Sequence, residues 1–515
     1  MKIDTVVQFF PRGGSAQVIR YLADQLNSRG HTSRILCGSL GEPGQLSNAH
    51  TFYRGLDVAA MDYTPAAQAY TREQRSMDGP APFHPSYEDR GPTAPDRIFT
   101  AVAPETIEHI TAAWKQHLTR HHTPDTDLVH LHHLSHLQEA AQGAYGTTPV
   151  VTTFHGTDLK LLDRAQQVTR LAERLGVPLT FLRDHLDPTL NEQLRAERLR
   201  DLESRFPLTP KERKLLRTAD WRHWPHADTW SRQMRDHVQQ AGRLVAVSES
   251  DRHEISRLLN VPGENVTVVP NGVETTNFAP RDLSDQQRMG YLRQWLVEDP
   301  QGWAPEQQPG SIRYSDQDLT RMYDSEGRLR PILLWVGRFQ EVKRLHLLLE
   351  AFADLVRTSE VRPVLLIWGG YPGEAEGEHP LTAARRLRIS EDTYFIGWRG
   401  HDELPQGMNC ADLMVAPAVN ESFGMVYIEA QACGTPPVAT NTGGPATLIT
   451  SNGPQANGWT VKPDDVTDLA ATLKEALAQP AERRRRARNG VEHVRANFSW
   501  SAVTDQYEKL YDETL

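Results

Sequence analysis

Apolar runs of strand length alternate with amphipathic stretches of helical spacing along most of the chain. Near the start, residues 5–10 form an apolar β-rich run, followed by a glycine loop at Gly13 and Gly14. Apolar residues then recur at helical spacing as far as Leu26, and residues 33–37, with Ile35, Leu36 and Cys37, predict a second strand. A strand, a helix and a strand in this order predict parallel pairing, because the helix returns the chain to the same edge of the sheet.

Further strand predictions fall into two sets, one in each half of the chain. They are 127–131, 149–154, 243–247 and 266–270 in the first half, and 332–336, 364–368, 394–396, 413–416 and 437–440 in the second. Continuous apolar strands between helices indicate a sheet that is covered on both faces. The predicted fold class is therefore α/β, with two Rossmann-like, doubly wound domains facing a cleft, where ligands bind at the carboxyl ends of the strands.

Three regions depart from the alternation and set the predicted domain limits. Residues 50–100 are rich in Pro, Asp and Tyr and predict long loops, whereas residues 159–240 predict a helical insertion in the first domain. A polar stretch at 280–328 separates the halves. We therefore predict a first domain over 1–325, a second over 326–497, and a C-terminal helix over 498–515 that crosses back to the first.

Composition narrows the class of protein. A chain of 515 residues is too long for one core, which favours two domains. The net charge of −10 makes nucleic acid an unfavourable partner. Three distant cysteines without metal-ligand spacing are typical of a reducing cytoplasm. With no apolar run of the ~20 residues that a membrane span needs, and no apolar leader, we expect a cytoplasmic protein; peripheral membrane contact stays open.

The segment 420–434 holds two glutamates, Glu421 and Glu429, eight positions apart. Glu421 falls in the loop after the predicted strand 413–416. A helix that begins near Gly424 would direct free backbone N–H groups at an anion, with Glu429 further along it. Alternatively, Glu421 only complements the helix dipole. The pair alone favours that alternative, but the combination of Glu-Ser-Phe-Gly with the trailing Glu-Ala-Gln-Ala-Cys-Gly favours a ligand site.

Two cations follow the first predicted strand of the second half. Arg338 and Lys343 are five residues apart, and a loop there can fold both over a diphosphate leaving group. Two surface cations near a helix start are the alternative, and the spacing alone does not decide between these interpretations.

Taken together, these segments resemble the family-4 retaining glycosyltransferases of the two-domain GT-B fold over most of the chain. The motifs that carry the resemblance are Gly13-Gly14, Arg29-Gly30-His31, Val247-Ser248, Val269-Pro270-Asn271-Gly272-Val273, Gly337-Arg338 with Lys343, Glu421 to Glu429, Gly434 to Ala439, and Gly443-Gly444. The resemblance implies a UDP- or GDP-sugar donor and neither a metal nor another cofactor. It does not carry over the acceptor, which we expect to be small and polar, because the loops at 50–100 and the insertion at 159–240 lie in the acceptor-binding half.

The resemblance also implies roles for individual residues. Arg338 and Lys343 would neutralise the donor diphosphate, Glu421 would lie near the transferred sugar, and Glu429 would hold the ribose. The remaining donor contacts would come from Gly13, Gly14, Gly337, Ser422, Phe423, Gly424 and Met425, with Gly397, Trp398 and Arg399 flanking the base. His155 matches a histidine that the family places at the sugar; a hydrogen-bonded structural histidine is the alternative.

A dense histidine cluster follows a first-half strand. Its members are His130, His132, His133 and His136. A metal site is one interpretation; the other is a strand exit that lines the acceptor site, and the absence of a carboxylate or cysteine in the cluster favours it. On that interpretation His132 and His133 contact the acceptor. Asp158 contacts the acceptor or the donor sugar, unless it caps a helix. No Asp-x-Asp pair stands where a metal-dependent transferase needs one.

The predicted function is therefore transfer of a sugar from a nucleotide-diphosphate donor to a small polar acceptor, with retention, in a specialised-metabolite or small-thiol pathway. The alternatives are a non-catalytic subunit of the same fold and a nucleotide-sugar epimerase or hydrolase. A phosphorylase is disfavoured because no lysine in a pyridoxal-phosphate setting is apparent. A nicotinamide enzyme is disfavoured because Gly13-Gly14 does not supply Gly-x-Gly-x-x-Gly. The insertion at 159–240 has two interpretations, acceptor selection or pairing in a homodimer.

Overall fold

The computed structural model describes residues 1–9, 14–73, 75–89, 91, 94–373 and 375–515. These residues form two compact units: unit 1 comprises Met1–Val269 with Gln506–Leu515, and unit 2 comprises Pro270–Asp505. Gly13, a predicted donor contact, lies outside the described residues.

Unit 1 contains a parallel sheet of seven strands within the described ranges. They are β1 (Lys2–Val7), β2 (Thr32–Ser39), β3 (Asp57–Asp62), β4 (Leu128–His132), β5 (Val150–Thr153), β6 (Arg243–Ala246) and β7 (Val266–Val268). The strand order is β3-β2-β1-β4-β5-β6-β7. The order reverses between β1 and β4, where Ile3 pairs with Leu128. The carboxyl ends of these strands are where open α/β sheets bind ligands.

Helices alternate with the strands of unit 1 along the chain, as in a doubly wound sheet. They are α1 (Gly14–Ser28), α2 (Ala49–Phe52), α3 (Thr64–Glu73), α4 (Pro104–His121), α5 (Leu137–Tyr145), α6 (Thr157–Arg174), α7 (Leu179–His185), α8 (Glu192–Arg205), α9 (Pro210–Thr218), α10 (Ala227–Gln240) and α11 (Glu249–Leu259). The predicted helical insertion is confirmed, since α6 to α10 all lie between β5 and β6. Apolar faces of α6 and α10 join the core of unit 1 through Leu162, Val168 and Met234.

The prediction of long loops at 50–100 is wrong in its first part, which contains α2, β3 and α3. Strand β3 has two alanines at its centre and an aspartate at each end, so its sequence lacks a strand signal; it forms by pairing with β2. The later part packs against the insertion. Thr100 Oγ1 donates to His223 O over 2.5 Å, and His226 N donates to Thr100 O over 3.0 Å. The end of the 50–100 region is therefore in contact with the helical insertion.

Unit 2 repeats the architecture with a parallel sheet of six strands in its described residues. They are β8 (Ile332–Gly337), β9 (Val364–Gly369), β10 (Thr393–Gly397), β11 (Leu413–Ala416), β12 (Pro437–Thr440) and β13 (Trp459–Val461). The order is β10-β9-β8-β11-β12-β13, which reverses between β8 and β11. The helices are α12 (Asp285–Arg293), α13 (Asp316–Leu319), α14 (Leu345–Thr358), α15 (Pro380–Arg386), α16 (Leu404–Cys410), α17 (Met425–Ala432), α18 (Pro445–Leu448), α19 (Val466–Ala478) and α20 (Pro480–Asn497). A last helix, α21 (Trp500–Asp512), begins in unit 2 and ends in unit 1.

The predicted boundary at 325 is wrong, because residues 270–325 belong to unit 2. Trp303 is buried in the apolar core of this unit, with its ring 5.5 Å from that of Phe339. Trp295 Nε1 donates to Glu403 Oε2 over 3.0 Å. The polar composition of this stretch indicated a linker, whereas two tryptophans fix it to the second sheet. The chain enters unit 1 again at Gln506, within α21.

Two further findings concern the chain as a whole. In the described ranges, no helix combines the length and the apolar character needed to cross a bilayer. Cys37, Cys410 and Cys433 are buried as free thiols.

Candidate functional site

The loops after β8 and β11 bring a cation and a carboxylate together at the point where the strand order of unit 2 reverses. Val419 N donates to Val342 O over 2.9 Å, which holds the two loops side by side. Lys343 Nζ consequently lies 2.5 Å from Glu421 Oε2. Both side chains are partly exposed, so two residues that were predicted for separate roles form an ion pair that remains accessible from solvent.

Arg338 occupies the same strand end. It directly follows Gly337, the last residue of β8, and its side chain is exposed. Lys343 ends a short 3-10 turn five residues later, before α14 begins. The carboxyl edge of β8 therefore presents both predicted cations.

Two glycines support the Glu421 loop from behind. Gly444 N donates to Glu421 O over 2.8 Å. A Cβ at Gly443 would lie 2.6 Å from Glu421 O, and one at Gly444 would lie 2.4 Å from Phe423 O. Because both neighbours are backbone atoms, a side chain at either position would displace the loop. Gly443-Gly444 thus belongs to the site through packing.

Helix α17 begins at Met425 and points its start at this loop, as predicted. The residue before it, Gly424, has a φ of 92°, and no side chain caps the helix. A Cβ at Gly424 would lie 2.5 Å from the Tyr427 ring, whose hydroxyl donates to Ala416 O over 2.7 Å. The backbone N–H groups at the start of the helix can therefore donate hydrogen bonds to an anion. The Phe423 side chain is buried, so only its backbone can contribute, whereas Ser422 is half-buried.

Glu429 lies within α17 and is buried, with its carboxylate held by an imidazole. His401 Nε2 is 2.9 Å from Glu429 Oε1, and the His401 ring packs 5.0 Å from the ring of Phe278. His401 was not predicted. The signal available was its place in the loop after β10, at the same edge of the sheet. The carboxylate predicted to hold a ribose therefore has a protein partner that orients it.

The loop that follows β10 divides its two large side chains between solvent and interior. Trp398 is 53% exposed, whereas Arg399 is buried. The Arg399 guanidinium donates to the Asp299 carboxylate over 3.0 Å and to Trp295 O over 3.2 Å. Gly397 contacts the same segment, since a Cβ there would lie 2.2 Å from Gln301 O. The Arg399 side chain is thus directed into unit 2, so only Trp398 and the backbone are placed to flank a base.

A second glycine pair, not predicted as part of the site, completes this edge. Gly370 N donates to Gly337 O over 3.1 Å, and a Cβ at Gly369 would lie 2.2 Å from that oxygen. Gly369 and Gly370 follow the predicted strand 364–368, and this Gly-Gly after a strand was the available signal. They let the ends of β8 and β9 approach closely beside Arg338.

In unit 1, two adjacent strand ends bring His132 and His155 into contact. His132 ends β4, and His155 follows β5 by two residues. His132 Nδ1 is 2.8 Å from His155 Nε2, and the rings stack with centroids 5.1 Å apart. Burial, together with neighbouring imidazoles, lowers the pKa of both histidines well below its usual range, so both rings are neutral at neutral pH. His155 is thus hydrogen-bonded on one side, which fits either interpretation of it.

His133 and Asp158 shape the loop beside this pair. His133 has a φ of 70°, and its Nε2 is 3.1 Å from Ser15 Oγ, next to exposed Gly14 at the start of α1. Asp158 is buried, and its Oδ2 accepts from Leu134 N over 3.1 Å. Gly156 is the N-cap of α6, without a side-chain cap. The Asp158 carboxylate therefore holds the 133–134 loop and does not cap α6, whereas its contact with a sugar stays a prediction.

The other two histidines of the cluster are interior. His130 uses both ring nitrogens, with Tyr511 Oη and Thr153 Oγ1 each 2.8 Å away. Burial lowers the pKa of His130 and of His136 to about 3. Across the described ranges, no group of three or more His, Cys, Asp or Glu side chains is arranged to hold a metal. His130, His132 and His136 are therefore packed as neutral imidazoles.

Comparison with known proteins agrees with this architecture. A sequence model described as Glycosyltransferase Family 4 matches residues 12–277, and one described as Glycosyl transferases group 1 matches residues 326–493. D-inositol 3-phosphate glycosyltransferase 2 of Catenulispora acidiphila is 31% identical over 283 residues, which cover 54% of this chain and 57% of that protein. D-inositol 3-phosphate glycosyltransferase of Saccharomonospora viridis is 35% identical over 284 residues, with the same coverage of 54% and 57%. The match thus spans little more than half the length of these relatives.

Solved structures share the fold. Sucrose-phosphate synthase from Thermosynechococcus elongatus has a TM-score of 0.61 at 18% identity, covering 100% of this chain and 98% of that one. Anabaena HepE in complex with UDP-glucose has a TM-score of 0.56 at 16% identity, covering 100% of both chains. At these identities the likeness concerns the fold, and it confirms the predicted GT-B class. With the Family 4 match over more than half of its length, this chain belongs to glycosyltransferase family 4.

Proposed function

We propose that this protein is a retaining glycosyltransferase that moves a sugar from a nucleoside-diphosphate donor to a small polar acceptor. The observation that carries the proposal is the Lys343–Glu421 pair, 2.5 Å apart, beside the uncapped start of α17. A phosphate needs cations and free N–H groups, and a reacting sugar carbon needs a nearby carboxylate. The carboxyl edge of the unit 2 sheet supplies the cations, the N–H groups and the carboxylate, and Gly443 and Gly444 pack closely against the Glu421 loop.

The proposed chemistry begins with cleavage of the bond between the anomeric carbon and the phosphate oxygen. The electron pair of that bond leaves with the diphosphate, whose growing charge is stabilised by Arg338, Lys343 and the first-turn amides of α17. Glu421 stands beside the oxocarbenium-like sugar. The acceptor attacks from the face that the diphosphate leaves, and its proton passes to the departing phosphate, so that the configuration is retained.

The nucleoside is placed by the neighbouring strand ends. The Glu429 carboxylate, oriented by His401, accepts hydrogen bonds from the ribose hydroxyls. Trp398 offers an exposed indole at the end of β10 against which a base can stack. A uridine donor is supported by the complexes of Anabaena HepE with UDP and with UDP-glucose. The names of the inositol 3-phosphate relatives support a small polyol acceptor.

The test is to incubate the protein with UDP-, GDP- and ADP-sugars, with and without polyol acceptors. We expect acceptor-dependent release of a nucleoside diphosphate and a product whose anomeric configuration, measured by NMR, equals that of the donor. Release of the nucleoside diphosphate at the same rate with and without acceptor would identify a hydrolase. Inversion of one carbon of the donor sugar without release would identify an epimerase, and nucleotide binding without turnover would identify a non-catalytic subunit.

Transfer activity should persist in excess chelator, because side chains neutralise the charge of the leaving group. A loss of activity that Mg²⁺ restores would contradict this prediction.

A further prediction concerns the role of Arg399. If Arg399 anchors the base loop through Asp299, then Asp299→Asn should weaken nucleoside-diphosphate binding by about three- to tenfold, the scale of one partly exposed charge-assisted contact. Calorimetry would measure it. The matched control is Asp316→Asn, which removes an exposed partner of Arg293 elsewhere in the same segment. Full affinity in Asp299→Asn would show that the Asp299 carboxylate does not anchor the base loop.

A further inference from the structure

The hydrogen bond between His132 and His155 restricts where the proton of each ring lies. The two nitrogens are 2.8 Å apart, and both rings are neutral, so one proton lies between them. Either His132 donates from Nδ1, or His155 donates from Nε2. In each case the second nitrogen of each ring is fixed in the opposite role.

The surroundings of His132 distinguish these arrangements. His132 is 1% exposed, and its Nε2 is enclosed without a hydrogen-bond partner among the described residues. If His155 donated, the His132 proton would be on Nε2 and would form an enclosed N–H without an acceptor. If His132 donates, Nε2 carries only an unused lone pair. Orphaned buried N–H groups are rarer in proteins than under-used acceptors, so the second arrangement is favoured.

This arrangement also fixes the position of the proton on the His155 ring. When its Nε2 accepts from His132, its own proton must be on Nδ1. That nitrogen makes no hydrogen bond to any described residue, and it is not enclosed as His132 Nε2 is. His155 therefore directs an N–H donor outward. Free imidazole in water favours the opposite tautomer, with the proton on Nε2.

We propose that His132 is a positioning residue that holds His155 as the Nδ1–H tautomer, so that His155 donates a hydrogen bond to a sugar oxygen of the substrate. The proposal rests on the proposed function. It assigns His155 the part of a donor and not of a proton acceptor. The neighbouring side chains agree with this assignment. The ring of His130 packs 4.3 Å from that of His132, and both nitrogens of His130 are already hydrogen-bonded, to Tyr511 and Thr153, so His130 leaves no nitrogen to pair with His132 Nε2.

The tautomer is tested directly on the full chain, with histidine labelled by ¹⁵N. The His155 signals, assigned by their absence in His155→Asn, should show a protonated Nδ1 and an unprotonated Nε2 in the substrate-free protein. In His132→Leu, the protonated nitrogen should change toward Nε2. A wild-type His155 with its proton on Nε2, or a tautomer unchanged in His132→Leu, would overturn the proposal.

Turnover supplies the second readout. His132→Leu should lower kcat about five- to tenfold, the scale of one neutral hydrogen bond, with little change in KM for the donor. His132→Asn, whose amide N–H replaces the Nδ1 donor, should recover most of that loss. A tautomer change without a loss of kcat would overturn the positioning role. An unmodified protein with no transfer activity would contradict the proposed function instead, and the spectrum would still decide the tautomer.

Discussion

Replacing Arg338 with alanine or Lys343 with methionine is expected to slow sugar transfer by at least about 10²-fold, as loss of a charged transition-state contact does. Both cations lie at the carboxyl edge of β8, where the leaving diphosphate gains charge. Lys343→Met carries an additional penalty, because it leaves the Glu421 carboxylate, 2.5 Å away in the native pair, to repel the phosphate. Steady-state kinetics and calorimetry with a nucleoside diphosphate measure both effects.

The double variant Lys343→Met with Glu421→Gln separates these contributions in nucleotide binding. It should recover part of the nucleotide affinity that Lys343→Met loses, since the repelling carboxylate is then neutral, while transfer stays slow. Arg357→Ala is the control: this exposed cation, paired with Asp354, lies at the far end of α14 from the strand edge. Near-normal transfer in Arg338→Ala would contradict the placement of the donor site.

Gly444→Ala is expected to reduce nucleotide affinity more than about tenfold and transfer about 10²-fold, by displacing backbone donors from the diphosphate. The added Cβ would lie 2.4 Å from Phe423 O and 2.5 Å from Ser422 O. Neither atom is a flexible side-chain end, so the Glu421 loop must shift. The hydrogen bond from Gly444 N to Glu421 O would be strained at the same time.

The control for this variant is Gly290→Ala in α12, where a Cβ would meet nothing within 4 Å. Alanine in a helix interior should be neutral or stabilising by about 0.5–1 kcal/mol. Thermal unfolding in the presence and absence of a nucleoside diphosphate separates a loss of folding from a loss of binding. Unchanged nucleotide affinity in a folded Gly444→Ala protein would show that the loop is not part of the donor site.

Much of the second half could be predicted because its signals are local. Continuous apolar runs predicted β8 to β12, and the motifs after them placed Glu421 and Lys343 at strand ends that the sheet makes adjacent. Glu429 was predicted as a ligand residue, whereas its partner His401 was not. The two are 28 positions apart, and no local pattern reports a contact over that separation.

The first half shows the complementary case. Its helical insertion was predicted, since periodicity is a property of each helix alone, but β3 was missed because an edge strand with two alanines at its centre is formed by pairing with β2. Asp158 had a local interpretation as a helix cap, and its carboxylate instead accepts from Leu134 N, 24 positions away.

By itself, the sequence determined the fold class, most of the strands, and the residue types gathered at the donor edge, because hydrophobic periodicity and short motifs are encoded over neighbouring residues. Only the tertiary structure decided that residues 270–325 pack with unit 2, that Arg399 is directed inward, and that His132 contacts His155. Each of these depends on which distant surfaces bury one another and satisfy one another's hydrogen bonds. The free energy of these contacts depends on two segments together, so the sequence of one segment alone contains no pattern that predicts them.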